Sequence, residues 1–498
     1  MGMPKVSGQY RVLCTNRVKF DSKVSALLTL RRTVGRRACA ALATALAGLP
    51  AGARAQPSEP PLLLGGPAPR EARTITTDPR LPVGPRFTAP VRPRSTGSAC
   101  SDRLPLCVHA TAGAGDASAV LDALGSLETA FDKLVLALRL PAPLGDRGEG
   151  GSDALDLYLL PPDRESPAYA RVHVAESGMP QAATPAAFDR AAAFCTAMAD
   201  GPALVARASA LCVGEAIALR LDPAETPHAR RGFATSLWWT VSAPTSADFE
   251  AIHAVQCAPH RALAQTELGP TSEGSAVFFS YLEHKLGASD PGTLAASLFS
   301  ASAQRLEPSA ASWQNEPDTF DVLRHTLAES KPRVASLLGD LAAARGFVGS
   351  RDDGAHLVDR AGSGSFGAPC FEWVLPFASL PRRVRLTPVE PTGAALVWVD
   401  LTGAPPGAPL GFQAEWEPPA QFQWVLVRVG ADGRELGRLE VPFQQKETSV
   451  EARLVDLGDA KGVLIAGAHL EEVDGDHPFD PDVAPFEPHG AMVYVVEL

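Results

Sequence analysis

Between Leu211 and Gln256 the chain twice approaches a pattern that lets a protein activate water with a divalent metal. In H-E-x-x-H, two histidines four residues apart share one helix face and point their imidazoles at Zn²⁺, while the Glu polarises the bound water. In LCVGEAIA, Glu215 fills the Glu place, but Gly214 and Ala218 stand where the histidines belong. In FEAIHAVQ, Glu250 and His253 are in place and Phe249 stands for the first His. Glu273, twenty residues after His253, offers a third ligand in that second register. Catalytic zinc normally takes three protein ligands plus water, and neither register supplies three, so zinc affinity is expected to be poor.

Other residues carry weaker chemistry. Asp474, Asp476, Asp480 and Asp482 are hard oxygen donors of the kind Ca²⁺ uses, yet they lack the EF-hand spacing, and an acidic loop between strands is the plainer reading. Glu215 lies in an otherwise apolar stretch, so it must reach water or find a cation, with Arg230 and Arg231 the nearest candidates. No G-x-S-x-G nucleophile elbow occurs.

The N-terminus reads as an export signal. Arg31, Arg32, Arg36 and Arg37 precede the apolar run ACAALATALAGLP, and Ala53-Arg54-Ala55 gives an A-x-A cleavage site, which assigns 1–55 to a signal peptide with a long basic region. The mature chain is then expected outside the cytoplasm, periplasmic or extracellular, with no permanent membrane span. Signal removal takes Cys14 and Cys39 and leaves six cysteines, an even number that suits disulfides in an oxidising compartment. Cys100 with Cys107, and Cys195 with Cys212, are the candidate pairs. A net charge of −11 argues against nucleic acid and anionic membrane as partners.

The elements that must position these residues follow from periodicity. Residues 56–98, rich in Pro, Gly and Arg, read as a disordered linker. Over 99–348 the pattern is mainly helical. Val120, Leu124, Leu127, Phe131, Leu134 and Leu138 recur at helical spacing behind Asp116, a capping residue, and predict a helix over 117–140. ALDLYLL (residues 154–160) predicts a strand, and helices are predicted over 185–199, 203–221, 247–257, 275–286, 293–302, 319–328 and 334–345. Residues 349–368 are turn-rich and mark a second linker. Over 369–498 the apolar residues alternate, giving about eight strands and an Asp432-Gly433 hairpin turn, as in an antiparallel β-sandwich.

Taken in order, several of these segments resemble the secreted gluzincin-type bacterial metallopeptidases. GGSDALDLYLLPP (150–162) resembles the strand before the metal helix, Leu211–Trp239 the metal helix and its successor, GSAVFFSYLEHKLG (274–287) a downstream helix, and DHPFDPD with MVYVVEL the C-terminal region. In this register the third ligand of a gluzincin falls on Phe233, so Gly214, Ala218 and Phe233 replace all three ligands and only Glu215 survives. The resemblance implies an α+β protein: a mainly helical zincin-like domain followed by a β-sandwich. It implies a pseudopeptidase without cofactor that binds protein or peptide, including envelope components. The alternatives are a zinc peptidase using Glu250, His253 and Glu273, and a structural protein of the cell envelope.

Overall fold

The computed structural model describes residues 74–76, 86–88, 90–163, 165–178, 191–223, 225–263, 265, 268–286, 292–302, 319–327, 334–357, 369–442, 447–470 and 487–498. The signal segment 1–55 and the acidic run from Asp474 to Asp482 lie outside the described residues. The chain is α+β, with largely antiparallel sheets. Strands β1 (Thr74–Thr76) and β2 (Arg86–Thr88) pair antiparallel.

A five-stranded sheet opens the helical part. It comprises β3 (Gly97–Cys100), β4 (Leu106–Ala110), β5 (Leu155–Leu160), β6 (Val172–Gly178) and β7 (Ala192–Met198), in the order β3-β4-β5-β7-β6. The central strands β4, β5 and β7 are parallel, and β3 and β6 are antiparallel edges. Between β4 and β5 runs α1 (Ala117–Phe131), capped by Asp116, which accepts from the Ala119 amide at 3.0 Å. Val120, Leu124, Leu127 and Phe131 are its buried stripe, and a π-helical turn, Asp132–Ala137, carries the helix on with Leu134 still inward. Packing reaches back into the stretch read as linker. Arg92 is buried, donates to Asp156 at 2.5 Å and to Asp146, and lies 4.5 Å over the Phe194 ring.

One element departs from its sequence reading: the helix expected over 185–199 is the strand β7 where the structure describes it. AAFCTAM is buried on both faces between β5 and β6, so no polar alternation marks it, and its alanines mimic a helix. Cys195 therefore sits on a strand, and its disulfide to Cys212 ties the sheet to α2 (Pro202–Leu221).

Helix α2 starts at Gly201, whose φ of +109° suits glycine, with Pro202 in its first turn. It is buried on every side, the mark of a central core helix. By length and composition it could cross a membrane, yet 72% of its most apolar window is buried inside the fold. The helices that follow are α3 (Pro227–Val241), which packs along α2, then α4 (Ser246–Cys257), α5 (Ala276–Leu286), α6 (Thr293–Ser302), α7 (Thr319–Leu327) and α8 (Val334–Ala344); α4 to α8 lie near their predicted bounds, whereas α3 was foreseen only as the successor of the Leu211 helix, without bounds. Thr226 caps α3, and Thr245 with Asp248 forms a capping box on α4.

The C-terminal region forms two sheets. One has the order β13-β12-β15-β10-β8, the other β14-β11-β16-β9. In chain order the strands are β8 (Trp373–Pro376), β9 (Arg382–Arg385), β10 (Ala394–Asp400), β11 (Leu410–Trp416), β12 (Phe422–Val429), β13 (Glu435–Glu440), β14 (Ser449–Leu454), β15 (Gly462–His469) and β16 (Ala491–Glu497). All eight strands predicted here are present, β8 is additional, and Gly433, with φ +81°, turns β12 into β13. Alternation sorts the side chains. Trp424, Leu426, Val463 and Ile465 join Phe412, Val493 and Val495 of the other sheet in one core, while Val425, Val427, Leu464 and Ala466 face the helices. There α8 lies so close that a Cβ on Gly339 would stand 2.6 Å from Gln423 Cγ.

Candidate functional site

The positions where a gluzincin would place its ligands are packed shut. A Cβ on Gly214 would stand 2.8 Å from Ala234 Cβ and 2.9 Å from its Cα, so α2 and α3 touch through this glycine and no larger side chain fits. Ala218 is fully buried, and Phe233 stacks on Phe299 at 4.4 Å with Phe279 edge-on. These three positions serve helix packing.

Glu215 alone keeps a charge there, and it is ion-paired with Arg231, one of the two arginines the sequence offered. Arg231, on α3, is fully buried and has four acceptors: Glu215, Glu273 at 3.2 Å, Tyr169 O at 3.1 Å and Val172 O at 2.8 Å. Its guanidinium thus supplies the positive charge between the carboxylates and also fills acceptors along the β6 edge. Arg207 of α2 extends the cluster, gripping Glu273 with two nitrogens at 2.8 and 3.3 Å and Asp248 at 2.9 Å. Burial by itself would raise the Asp248 carboxyl; Arg207 and the Thr245 bonds outweigh it and hold it below the usual range. Burial also lowers the His173 pKa, on β6, with Glu215 opposing and Arg231 adding to the effect. Two guanidiniums and three carboxylates interlock here, an arrangement in which each charge is costly to leave without its partner.

The second register is spread over different surroundings. Glu250 is exposed, His253 is exposed beside the Cys257 sulfur at 3.7 to 3.8 Å, and Glu273 is buried between Arg207 and Arg231. Two groups of His, Cys and acid side chains do come within 4.8 Å of one another among the described residues: His253, Cys257 and Cys370, and Cys107, His109 and Asp156. In both, the sulfurs are committed to disulfides, Cys257–Cys370 and Cys100–Cys107, which leaves no thiolate to bind a metal. The three disulfides among the described residues fit an oxidising compartment.

Beside Arg207 opens a cavity of about 240 Å³, lined by Arg171, Val172, Met198, Asp200, Leu204, Ala208, Ser246, Ala247 and Glu250 among others. Sequence reading missed it. Arg171, Asp200 and Arg207 belong to no motif, and they meet only because β6, β7, α2 and α4 converge.

No family model matches the chain, and no curated protein matches it. Among solved structures it is similar to the pre-peptidase C-terminal domain of a Bacillus anthracis collagenase, at 10% identity and a TM-score of 0.17, over 25% of this chain and 96% of that one. It is also similar to a structure titled for a CBM4, at 11% identity and a TM-score of 0.13, over 23% and 89%. A third is the bacteriophage CBA120 tailspike protein 4, at 10% identity and 0.16, over 23% and 15%. Scores this low carry no argument about this chain.

Proposed function

We propose that this chain is an exported, non-catalytic relative of the secreted gluzincin-type metallopeptidases. In this reading a zincin-like helical domain is followed by an antiparallel β-sandwich, and the remaining cleft binds protein or peptide. The observation that carries the reading is Arg231. In the register of the resemblance, its guanidinium sits against Glu215, the surviving motif carboxylate, and also takes Val172 O on the β6 edge, where an extended substrate would otherwise pair. Chemistry that depends on a metal-bound water has no room there, because the first ligand position is sealed by Gly214 against Ala234. Binding does not need those groups, and the cavity beside Arg207 stays open.

The test is metal content and peptide hydrolysis of purified, untagged protein. Zinc well below one per chain, no cleavage of a denatured protein substrate, and measurable retention of peptides support the reading. One zinc per chain, lost when His253→Ala is introduced, would overturn it in favour of a peptidase built on Glu250, His253 and Glu273. Absence of peptide binding together with absence of zinc would favour a structural envelope role.

A further inference from the structure

We propose that the Cys257–Cys370 bridge is a reducible latch whose open form, together with His253, is a site for a thiophilic metal ion such as Zn²⁺. The inference is independent of the peptide-binding reading. His253 and Cys257 stand four residues apart on α4 and share one face, and Cys370 reaches them from the segment before β8. One ligand atom from each of the three lies within 4.8 Å of the others, and the Cys257 sulfur is 3.7 Å from His253 Nε2 and 3.8 Å from Nδ1. A tetrahedral Zn²⁺ with bonds of about 2.3 Å to sulfur and about 2.0 Å to nitrogen spaces its ligands about 3.5–3.8 Å apart. The histidine and the first sulfur already meet that spacing. The two sulfurs bind no metal while bonded to each other, and side-chain rotation is enough to part them, the Cα atoms being 4.6 Å apart.

Exposure makes this bridge the one open to reduction. Cys257 is exposed and Cys370 half-buried, whereas Cys107 of the first bridge and both Cys195 and Cys212 of the second are buried. Exposed disulfides are the labile, exchangeable kind. A dithiol, protein or small molecule, opens it in two displacements. Its first thiolate attacks the Cys257 sulfur and releases the Cys370 thiolate. Its second thiolate then attacks the reductant's own sulfur in that mixed disulfide and releases the Cys257 thiolate, so the dithiol ends as a disulfide and the chain gains two electrons. Metal binding displaces the remaining thiol protons to solvent. Two thiolates, one imidazole and a water complete a four-coordinate site, and such donors select Zn²⁺ or Cu⁺ over Ca²⁺ and Mg²⁺.

The ligands stay together when the bridge opens, because the segments that carry them are tied by other bonds. The Cys370 amide donates to Gln256 O at 3.3 Å, the Glu390 amide to His260 O at 2.8 Å and the Ala394 amide to Pro259 O at 2.7 Å. From the other side buried Arg345 donates to Gln256 Oε1 at 3.0 Å and to Val255 O, and Gln256 Nε2 donates back to Arg345 O at 2.7 Å. Little ordering remains for the metal to impose. The second group, Cys107, His109 and Asp156, has no such access: all three are buried, and Asp156 is held by Arg92 and His109.

The experiment reduces the full chain with a phosphine, desalts it under inert gas, and titrates it with Co²⁺ and then Zn²⁺, while alkylation and mass spectrometry map the free thiols. Cys257 and Cys370 are expected to alkylate with Cys195 and Cys212 protected and tryptophan fluorescence unchanged. One Co²⁺ per chain should then give a thiolate-to-cobalt charge-transfer band that Zn²⁺ removes and that the unreduced chain never shows. Cys370→Ser should abolish the band, and His253→Ala, at an exposed position, should weaken binding about tenfold or more. If Cys370→Ser fails to fold, alkylation of the two thiols in the reduced natural chain takes its place. A bridge that opens only when the fluorescence shows unfolding, a reduced folded chain without the band, or a band that survives His253→Ala unchanged overturns the proposal. Zinc held before reduction and kept in Cys370→Ser overturns it together with the non-catalytic reading, because a peptidase built on Glu250, His253 and Glu273 needs neither reduction nor Cys370. No zinc in either redox state overturns the latch and leaves that reading standing.

Discussion

Replacing Arg231 with Met tests the buried charge cluster most directly. The side chain is fully buried, so Met occupies the same volume without the charge. Glu215 then loses its ion pair, Glu273 keeps only Arg207, and the Tyr169 and Val172 carbonyls lose a donor. Breaking a buried pair from one side costs about 3–5 kcal/mol, and each carbonyl adds about 1 kcal/mol. Apolar burial of the Met returns about 1–2 kcal/mol, so the net loss is about 4 kcal/mol. Urea unfolding followed by tryptophan fluorescence reads it. The double variant Glu215→Gln/Arg231→Met should recover about 2 kcal/mol, because the stranded carboxylate is gone. A loss below about 1 kcal/mol for Arg231→Met, or no recovery in the double variant, would refute the view that the guanidinium holds this site together.

Gly214→His, which restores the first metal position, should cost more than about 3 kcal/mol through collision with Ala234, and Gly214→His/Ala218→His should still hold no zinc by elemental analysis. His228 is buried, with Nδ1 donating to Leu263 O at 2.9 Å and Nε2 accepting from Thr271 Oγ1 at 3.0 Å, and burial pushes its pKa down to about 4. Since the unfolded chain takes up this proton near pH 6.5, stability should fall as pH drops from about 6.5 to about 4, by about 3 kcal/mol in all, and His228→Gln should flatten that slope in pH-dependent urea melts. Removing the Cys195–Cys212 bridge with Cys195→Ala/Cys212→Ala should cost about 3 kcal/mol in the same assay, as for other loops of this size.

Local patterns were the readable part of this chain. The inward stripe of α1, the caps at Asp116 and the alternating strands of the C-terminal region are each written in a dozen neighbouring residues, and they were legible. So was the pairing need of Glu215, because a carboxylate on an apolar helix demands a cation nearby. Strand β7 was not, since burial on both faces removes the alternation that distinguishes strand from helix. Arg92, placed in a Pro-rich stretch, gave no sign that it would meet Asp146 and Asp156, more than fifty residues away. Asp200 and Arg171 escaped notice for the same reason: their meaning lies in which elements come together, and no spacing along the chain encodes that.

The seat of α8 on the C-terminal sheet has a consequence for how this protein can be divided. Val425, Val427, Leu464 and Ala466 belong to the same apolar cluster as the helices, and Cys257 of α4 is bonded to Cys370 at the entrance to β8. A cut between residues 352 and 369 would therefore release nothing under non-reducing conditions. The two halves would stay joined by sulfur and by a common interior, and either half made alone would present a stripped apolar sheet or helix face to water. Despite the change in sequence character near Gly349, the helices and the C-terminal sheet share one apolar interior and one covalent tie.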